Sequence, residues 1–502
     1  MTAPQPPIPA ERLDSFPADY ARHGLDYGAD LYPDAQVGID MGRCVGVVNG
    51  FYQMALHRDR LYACFGGFLR WDTLERVPVP GITPGMLVCL DADTLQRVRV
   101  VALPYRPNAL ALRADGAEAA TTHTHAQTVS VVDLGSGEVR CWKPDTAIDG
   151  REYRSRYIAY APDGQLIANY YRFSFDPDER DTVAMKFDRT LARVPGFRIA
   201  PFERTWAMPL LWSEVHGGRF VVGSRAPRLL DAGSGEVAAL GPALPGANHR
   251  NYCHGPDGTL FASQDAGFGR PNLAWLDPAS GHGSWLTTGA GAVELAYDAG
   301  AGWLLACNYD SRTLSIVQPR PGARTFDGAR FVNVVFDGHP SSLALRRTAT
   351  HLEVFVGPKW TRRDGRHRDL LARLRIPRAV RDVAQLLAPG ACSVQEFDMY
   401  DGTVSAPRAA RVLDMARSRA RLRADAREAL AQARRRLPEA EARLAALRRE
   451  AAGGAADPAL RARIDKTGYG VRWWRQRIAT LEAALSAQPD APGAPPAQEG
   501  HA

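Results

Sequence analysis

The sequence predicts a mainly β fold: a seven-bladed β-propeller followed by a C-terminal α-helical hairpin of coiled-coil character. Three observations carry that prediction. A four-strand phrase recurs about every 40 to 56 residues, the spacing of propeller blades. Tight turns containing Gly and Asp separate its strands. Near residue 405 the composition shifts to Ala, Arg, Leu and Glu, which favour helix.

The phrase is clearest at 121–139, TTHTHAQTVSVVDLGSGEV. Val129 and Val131 alternate with smaller or polar neighbours, as a strand requires, and Val139 opens the next strand. Between them Gly135 and Gly137 supply the positive φ of a hairpin turn. Strands are expected at 45–56, 61–65, 86–90 and 98–103 in the first blade, and at 109–113, 117–122, 129–133 and 139–142 in the second. The third takes 157–161, 166–170, 183–187 and 193–197; the fourth takes 210–215, 219–223, 228–231 and 237–240. The fifth takes 252–254, 260–263, 273–276 and 283–287, and the sixth takes 293–297, 303–308, 313–317 and a less defined fourth strand. The seventh takes 342–346, 351–357, 370–376 and 394–399, although 378–401 reads ambiguously and leaves six or eight blades open. Each sheet has two apolar faces, which only neighbours packed around an axis can hide.

The residues 128–133 and 137–139 resemble the repeat of YVTN/YncE-type, WD40-like propellers. So do 106–112, RPNALAL, and 308–317, NYDSRTLSIV. The likeness spans about residues 44–376 and departs at inserts in the first blade (66–85) and the third (172–181). It implies the fold. Members include ligand binders, nucleic-acid binders and enzymes, so it leaves function open.

At 45% hydrophobic and 23% charged residues, the composition is that of a globular protein. The seven cysteines form no CxxC pair, which argues against a disulfide framework or a cysteine zinc site; Cys64, Cys89, Cys141 and Cys307 fall in apolar strand patterns and read as buried thiols. No secretory signal and no membrane-spanning run is apparent, so the expected compartment is the cytoplasm. The domain plan is a Pro-rich arm over 1–40, the propeller over 41–404, a basic helical hairpin over 405–487 and a disordered tail over 488–502.

In the second helical run Leu460, Ile464, Thr467, Val471, Trp474, Ile478, Leu481 and Leu485 alternate spacings of four and three, an a/d seam. A short connection at Gly453-Gly454 favours an antiparallel hairpin over intermolecular pairing. Pro438 is expected to kink the first helix or restart it, and Gly468-Tyr469-Gly470 to soften the second. Residues 405–488 carry about 19 Arg and Lys against about 9 Asp and Glu, so the basic character of the chain (+7 overall) belongs to the helices. Arg434, Arg435, Arg436, Arg472, Trp473 and Arg475 are the candidate nucleic-acid contacts; a solvated helix face is the simpler reading of the same charges.

Loops at one end of a propeller collect polar residues. Here they bring Asn108, His123, His125, Arg156, Arg225, His249, Arg250, Asn251, Glu294 and His339 to one mouth as candidate ligand-binding residues. His123-x-His125 has the spacing of a metal pair, and Asn108, Asn251 and Glu294 could offer oxygen ligands to a divalent cation, but neither pattern is specific enough to assign a metal or any cofactor. No GxSxG, Walker loop, strand-linked GxGxxG or HExxH occurs. The expected function is therefore a non-catalytic interaction scaffold with a protein partner and no membrane, the helices serving docking or homo-oligomerisation. The alternatives are a small-ligand binder or metal-assisted hydrolase at the mouth, and nucleic-acid binding through the helices.

Overall fold

Seven antiparallel blade sheets follow one another along the chain, and two two-stranded ribbons, Cys44–Gly46 with Leu69–Trp71 and Thr361–Arg363 with Arg366–Arg368, accompany them among the described residues. The computed structural model describes residues 44–46, 50–66, 69–71, 85–104, 107–123, 128–142, 153–172, 181–197, 209–223, 226–240, 249–264, 266–359, 361–363, 366–368, 370–399, 402–452 and 458–486. The expected N-terminal arm and C-terminal tail lie outside these.

From the axis outward, blade 1 holds Gly50–His57, Arg60–Gly66, Gly85–Asp91 and Arg97–Leu103. Blade 2 holds Ala109–Leu112, Glu118–His123, Thr128–Asp133 and Val139–Trp142. Blade 3 holds Arg154–Tyr160, Leu166–Arg172 and Asp181–Phe187. Blade 4 holds Leu211–Ser213, Arg219–Val222, Arg228–Leu230 and Val237–Ala239. Blade 5 holds His249–His254, Leu260–Gln264, Leu273–Asp277 and His282–Leu286. Blade 6 holds Ala292–Asp298, Trp303–Asn308, Thr313–Gln318 and Arg330–Val335. Blade 7 holds His339–Arg347, His351–Lys359, Leu370–Pro377 and Ser393–Asp398.

The blade count is seven, which settles the ambiguity over 378–401. The expected fourth strand of blade 3 shrinks to a single bridge between Phe187 and Arg193. Pro195 cannot donate to a ladder, and Gly196 turns the chain away at φ +82°.

Alternation along each strand sends neighbouring residues to opposite faces, so Val131 packs toward blade 3 and Val132 toward blade 1. Seven apolar clusters result, one for each pair of adjacent blades. The last joins Phe355, Leu371 and Phe397 of blade 7 to Leu61, Val88 and Leu90 of blade 1 and closes the ring. No strand is exchanged across that seam among the described residues; a buried polar lock stands there instead. The Glu353 carboxylate is fully buried and accepts from Arg346 (2.8 Å) and Arg375 (2.9 Å). Arg346 and Arg373 then donate to the Ala92 carbonyl of blade 1 at 3.1 and 2.9 Å.

Beyond blade 7 the chain doubles back along the rim. Arg408–Ala409 adds a fifth strand to blade 7, and Val412–Leu413 adds one to blade 6. Two helices follow, Met415–Ala452 and Pro458–Ser486. They run antiparallel within one chain, as ion pairs Arg434–Glu482 (2.7 Å), Arg475–Glu441 (2.6 Å) and Arg463–Glu450 (3.5 Å) show. Leu444, Leu447, Leu460 and Val471 are buried.

Of the two outcomes expected at Pro438, a restarted helix is not seen: one α-helix runs through it. Pro438 and Arg434 are both exposed, so water can satisfy the Arg434 carbonyl that the missing N–H leaves free. The second helix likewise runs unbroken through Gly468 and Gly470. Both glycines are buried, where a small residue lets helices approach closely.

Candidate functional site

The inner strands of five blades lose register near their starts. The breaks fall between Phe51 and Gln53, Ser155 and Ile158, His249 and Asn251, Ala292 and Glu294, and Pro340 and Ser342. A bulge bends the strand and re-aims its side chains. At or beside the bulges stand Gln53, Arg156, Tyr157, Arg250, Asn251, Glu294, Ser341 and Ser342.

Several of these residues bond from blade to blade around the axis. Asn108 Nδ2 of blade 2 donates to the Arg156 carbonyl of blade 3 at 3.0 Å, and Arg156 Nη1 donates back to Asn108 Oδ1 at 3.3 Å. The Arg156 guanidinium also lies 5.8 Å from the Tyr157 ring centroid. Tyr157 then reaches past blade 4 to donate to the Arg250 carbonyl of blade 5 at 3.4 Å. Asn251 Nδ2 donates to the Glu294 carboxylate of blade 6. Gln53 Oε1 of blade 1 accepts from the Leu110 backbone N–H of blade 2 at 2.7 Å. Burial pushes the Glu294 carboxyl up to about 7; the Leu295 N–H, the Gln53 and Asn251 amides and the Arg250 charge pull the other way and do not overcome it. Gln53, Asn108, Arg156, Tyr157, Arg250, Asn251 and Glu294 all remain partly accessible.

Of the residues expected at the mouth, Asn108, Arg156, Arg250, Asn251 and Glu294 are thus brought together. His123 is not at the mouth: it is fully buried in blade 2, its Nε2 at 2.8 Å from Ser130 Oγ. His249 is also fully buried, tilted against Tyr252 at 5.4 Å, and burial pulls its pKa down to about 4, so it is neutral. His339 lines the cleft beneath the helices instead, with Nδ1 donating to the Tyr309 carbonyl at 2.8 Å. His125 and Arg225 lie outside the described residues. The expected oxygen set for a cation is split, since Asn108 stands against one guanidinium and the Asn251–Glu294 pair lies beside another. Among the described residues no group of three or more His, Cys, Asp or Glu is placed to hold a metal. Gln53, Tyr157 and Ser342 were not singled out in the sequence. Aligning the inner strands on Asn251 and Glu294 would have found them.

The hairpin is seated on the same end of the propeller. Leu422, Ala426, Ala429 and Leu481 pack on Phe268 and Ala290, residues of the blade 5 loop and of the connection to blade 6. Gly269, at φ +77°, lets Ala484 come so close that a Cβ there would lie 2.5 Å from the Ala484 Cβ. A buried network holds the seat. Asn272 donates to Asn308 Oδ1 (2.7 Å), Asn308 to Ser315 Oγ (2.7 Å), Ser315 to Asn333 Oδ1 (2.7 Å), and Asn333 to the Thr288 carbonyl (2.7 Å). A small cleft remains between hairpin and propeller, with Asp310, Arg312 and His339 on one wall and Asp425, Glu428 and Arg477 on the other.

The distal half of the hairpin carries the free charge. Arg434, Arg436 and Arg475 of the expected nucleic-acid set are ion-paired to Glu482, Glu439 and Glu441. Trp473 is not open for stacking either, since the Arg477 guanidinium lies 5.1 Å from its ring centroid and Trp474 meets it edge-on. Arg435 and Arg472 are exposed and make no ion pair among the described residues, and the same holds for Arg443, Arg448, Arg449 and Arg461.

No family model matches the chain, and no curated protein matches it in sequence. Solved structures do resemble it. The β-propeller domain of Cps50 (Swd1) from Myceliophteria thermophila is 12% identical, with 63% of this chain and 96% of that one covered at a TM-score of 0.43. The WD40 propeller domain of Doa1 is 12% identical, with 63% and 92% covered at 0.41. The gluconolactonase XC5397 from Xanthomonas campestris is 13% identical, with 52% and 83% covered at 0.34. Likenesses this distant concern the fold only.

Proposed function

We propose that the protein is a non-catalytic interaction platform, a closed propeller that holds up a basic helical arm for a partner with an acidic surface. The observation that carries this reading is the arm itself. Its base is packed on the loops at Phe268 and Ala290, Leu444, Leu447, Leu460 and Val471 are buried, and six arginines of its distal half stand exposed with no ion pair among the described residues. Unpaired surface arginine steers oppositely charged partners and supplies bidentate contacts. A YVTN-type ancestry for the propeller accords with the phrases at 128–139 and 308–317. A cytoplasmic setting accords with six described cysteines that form no disulfide, and no helix among the described residues is long and apolar enough to cross a membrane.

The test replaces Arg435, Arg443, Arg448, Arg449, Arg461 and Arg472 by Gln in the full chain. Partners recovered from native cells with the wild type should be lost with the variant, while its melting temperature stays unchanged. The same set of partners with both proteins would refute the reading. Salt-steep binding to a DNA or RNA oligonucleotide, lost in the variant, would put nucleic acid in the partner's place.

A further inference from the structure

We propose that the basic β-ribbon of blade 7 binds duplex DNA by entering its major groove. The ribbon pairs Thr361–Arg363 with Arg366–Arg368, in the register Thr361 to Arg368, Arg362 to His367 and Arg363 to Arg366. Its sequence over 361–368, TRRDGRHR, sets four arginines and a histidine against one acid, Asp364. Only Asp364 and Gly365 separate the two strands, and Asp-Gly is a strong signal for the tightest hairpin connection.

Such a sequence works against the ribbon's own stability. Two strands alone are marginal in water, and like charges directly opposite one another weaken them further. The register nevertheless sets Arg363 opposite Arg366, next to the turn. Strand alternation places Arg363, Arg366 and Arg368 on one face with Thr361, and Arg362 and His367 on the other, so both faces carry arginine. An anionic partner turns this internal cost into binding.

The root of the ribbon is packed. Thr361 is buried. A Cβ at Gly338 would strike the Thr361 hydroxyl and lie 2.8 Å from the Lys359 carbonyl, so glycine lets the chain entering blade 7 pass against the root. The ribbon joins the second and third strands of its blade, as the Phe268 loop does in blade 5, and so belongs to the end of the ring that seats the hairpin.

Duplex DNA matches both the shape and the charge. The B-form major groove is about 12 Å wide and admits a two-stranded ribbon, whereas the A-form groove of duplex RNA is too narrow for side chains to read. Arginine pairs bidentately with guanine edges and with phosphate oxygens. An acidic protein surface would match the charge alone.

Fluorescence anisotropy of the full chain tests this with a labelled DNA duplex of mixed sequence, the RNA duplex of the same sequence, and polyglutamate as competitor. Salt-dependent binding is expected, tighter for DNA than for RNA and not displaced by polyglutamate. Joint replacement of Arg363, Arg366 and Arg368 by Gln should weaken DNA binding by about tenfold or more. It should also flatten the slope of log affinity against log salt by about one unit per arginine, with the melting temperature unchanged. The same loss should appear in a chain already carrying the six Gln substitutions of the arm, which separates this site from the arm's partner. Arg366→Glu serves as the second variant should the triple variant fold poorly. DNA affinity unchanged in both ribbon variants would overturn the proposal, as would equal affinity for the two duplexes or displacement of DNA by polyglutamate. A lowered melting temperature with DNA affinity intact would show that these arginines serve the fold, and would overturn it too.

Discussion

Asp133 shows how one side chain can organise a turn. Its Oδ1 accepts from the Ser136 N–H at 2.7 Å and from the Ser136 hydroxyl at 3.0 Å, and Asp231 repeats the arrangement with Ser234 at 2.7 and 2.8 Å. In both cases the backbone N–H holds the carboxyl below its ordinary value. This device is local, so the turns were legible in the sequence as Asp-x-Gly-Ser-Gly. Glu353 is the opposite case. Its partners Arg346 and Arg375 lie in neighbouring strands, the contacts of Arg346 and Arg373 to Ala92 lie across the closing seam, and nothing in the order of residues announces them. Glu353→Ala should cost about 3 to 5 kcal/mol in denaturant unfolding, because it takes the carboxylate from the buried Arg346 guanidinium. Glu294 predicts a pH effect of defined sign. Its folded-state pKa of about 7 lies above the ordinary 4.5. The stability that follows is full below pH 4.5 and is lost as the pH rises through about 7, an effect of up to about 3 kcal/mol. Unfolding midpoints followed from acid to neutral pH should lose that slope in Glu294→Gln. His249, neutral in the fold, acts in the other direction, and the stability it gives is lost as the pH falls from 6.5 through about 4.

Strands and helices were legible to different degrees. Inner and middle strands alternate apolar and small residues, so their existence followed from pattern, while bulges such as that between His249 and Asn251 left no local mark beyond the polar residues they carry. For that reason Asn251 and Glu294 were found and Gln53 was not. The helices were found by composition, and the first runs through the exposed Pro438 without restarting. Pro438→Ala should therefore stabilise the hairpin by up to about 3 kcal/mol, with slower hydrogen exchange over the turn preceding it. Gly269→Ala should act in reverse. The new methyl would meet Ala484 at 2.5 Å with φ held at +77°, so the base of the hairpin should lift. Faster exchange in 415–486 with the blades unchanged is the expected signature; uniform protection would refute the close contact.

For the whole molecule, the seven-membered ring explains why no single core dominates. Each sheet is sandwiched between two others, and every interface between adjacent blades has its own apolar cluster. Removing residues 406–502 should leave the ring intact but bare the outer edges of blades 6 and 7 and the seat at Phe268 and Ala290. Such edges recruit other chains, so the truncated protein is expected to form oligomers or aggregates by light scattering while keeping its β circular dichroism. The short strand Val412–Leu413 has a mechanical meaning as well. It fastens the root of the arm to blade 6, one blade away from the joint where blade 7 meets blade 1. A tug on the arm by a bound partner would unzip two residue pairs at the rim before any load reached that joint. The fastening would act as a fuse: a small extension at low force should precede rupture of the ring in a single-molecule pulling trace.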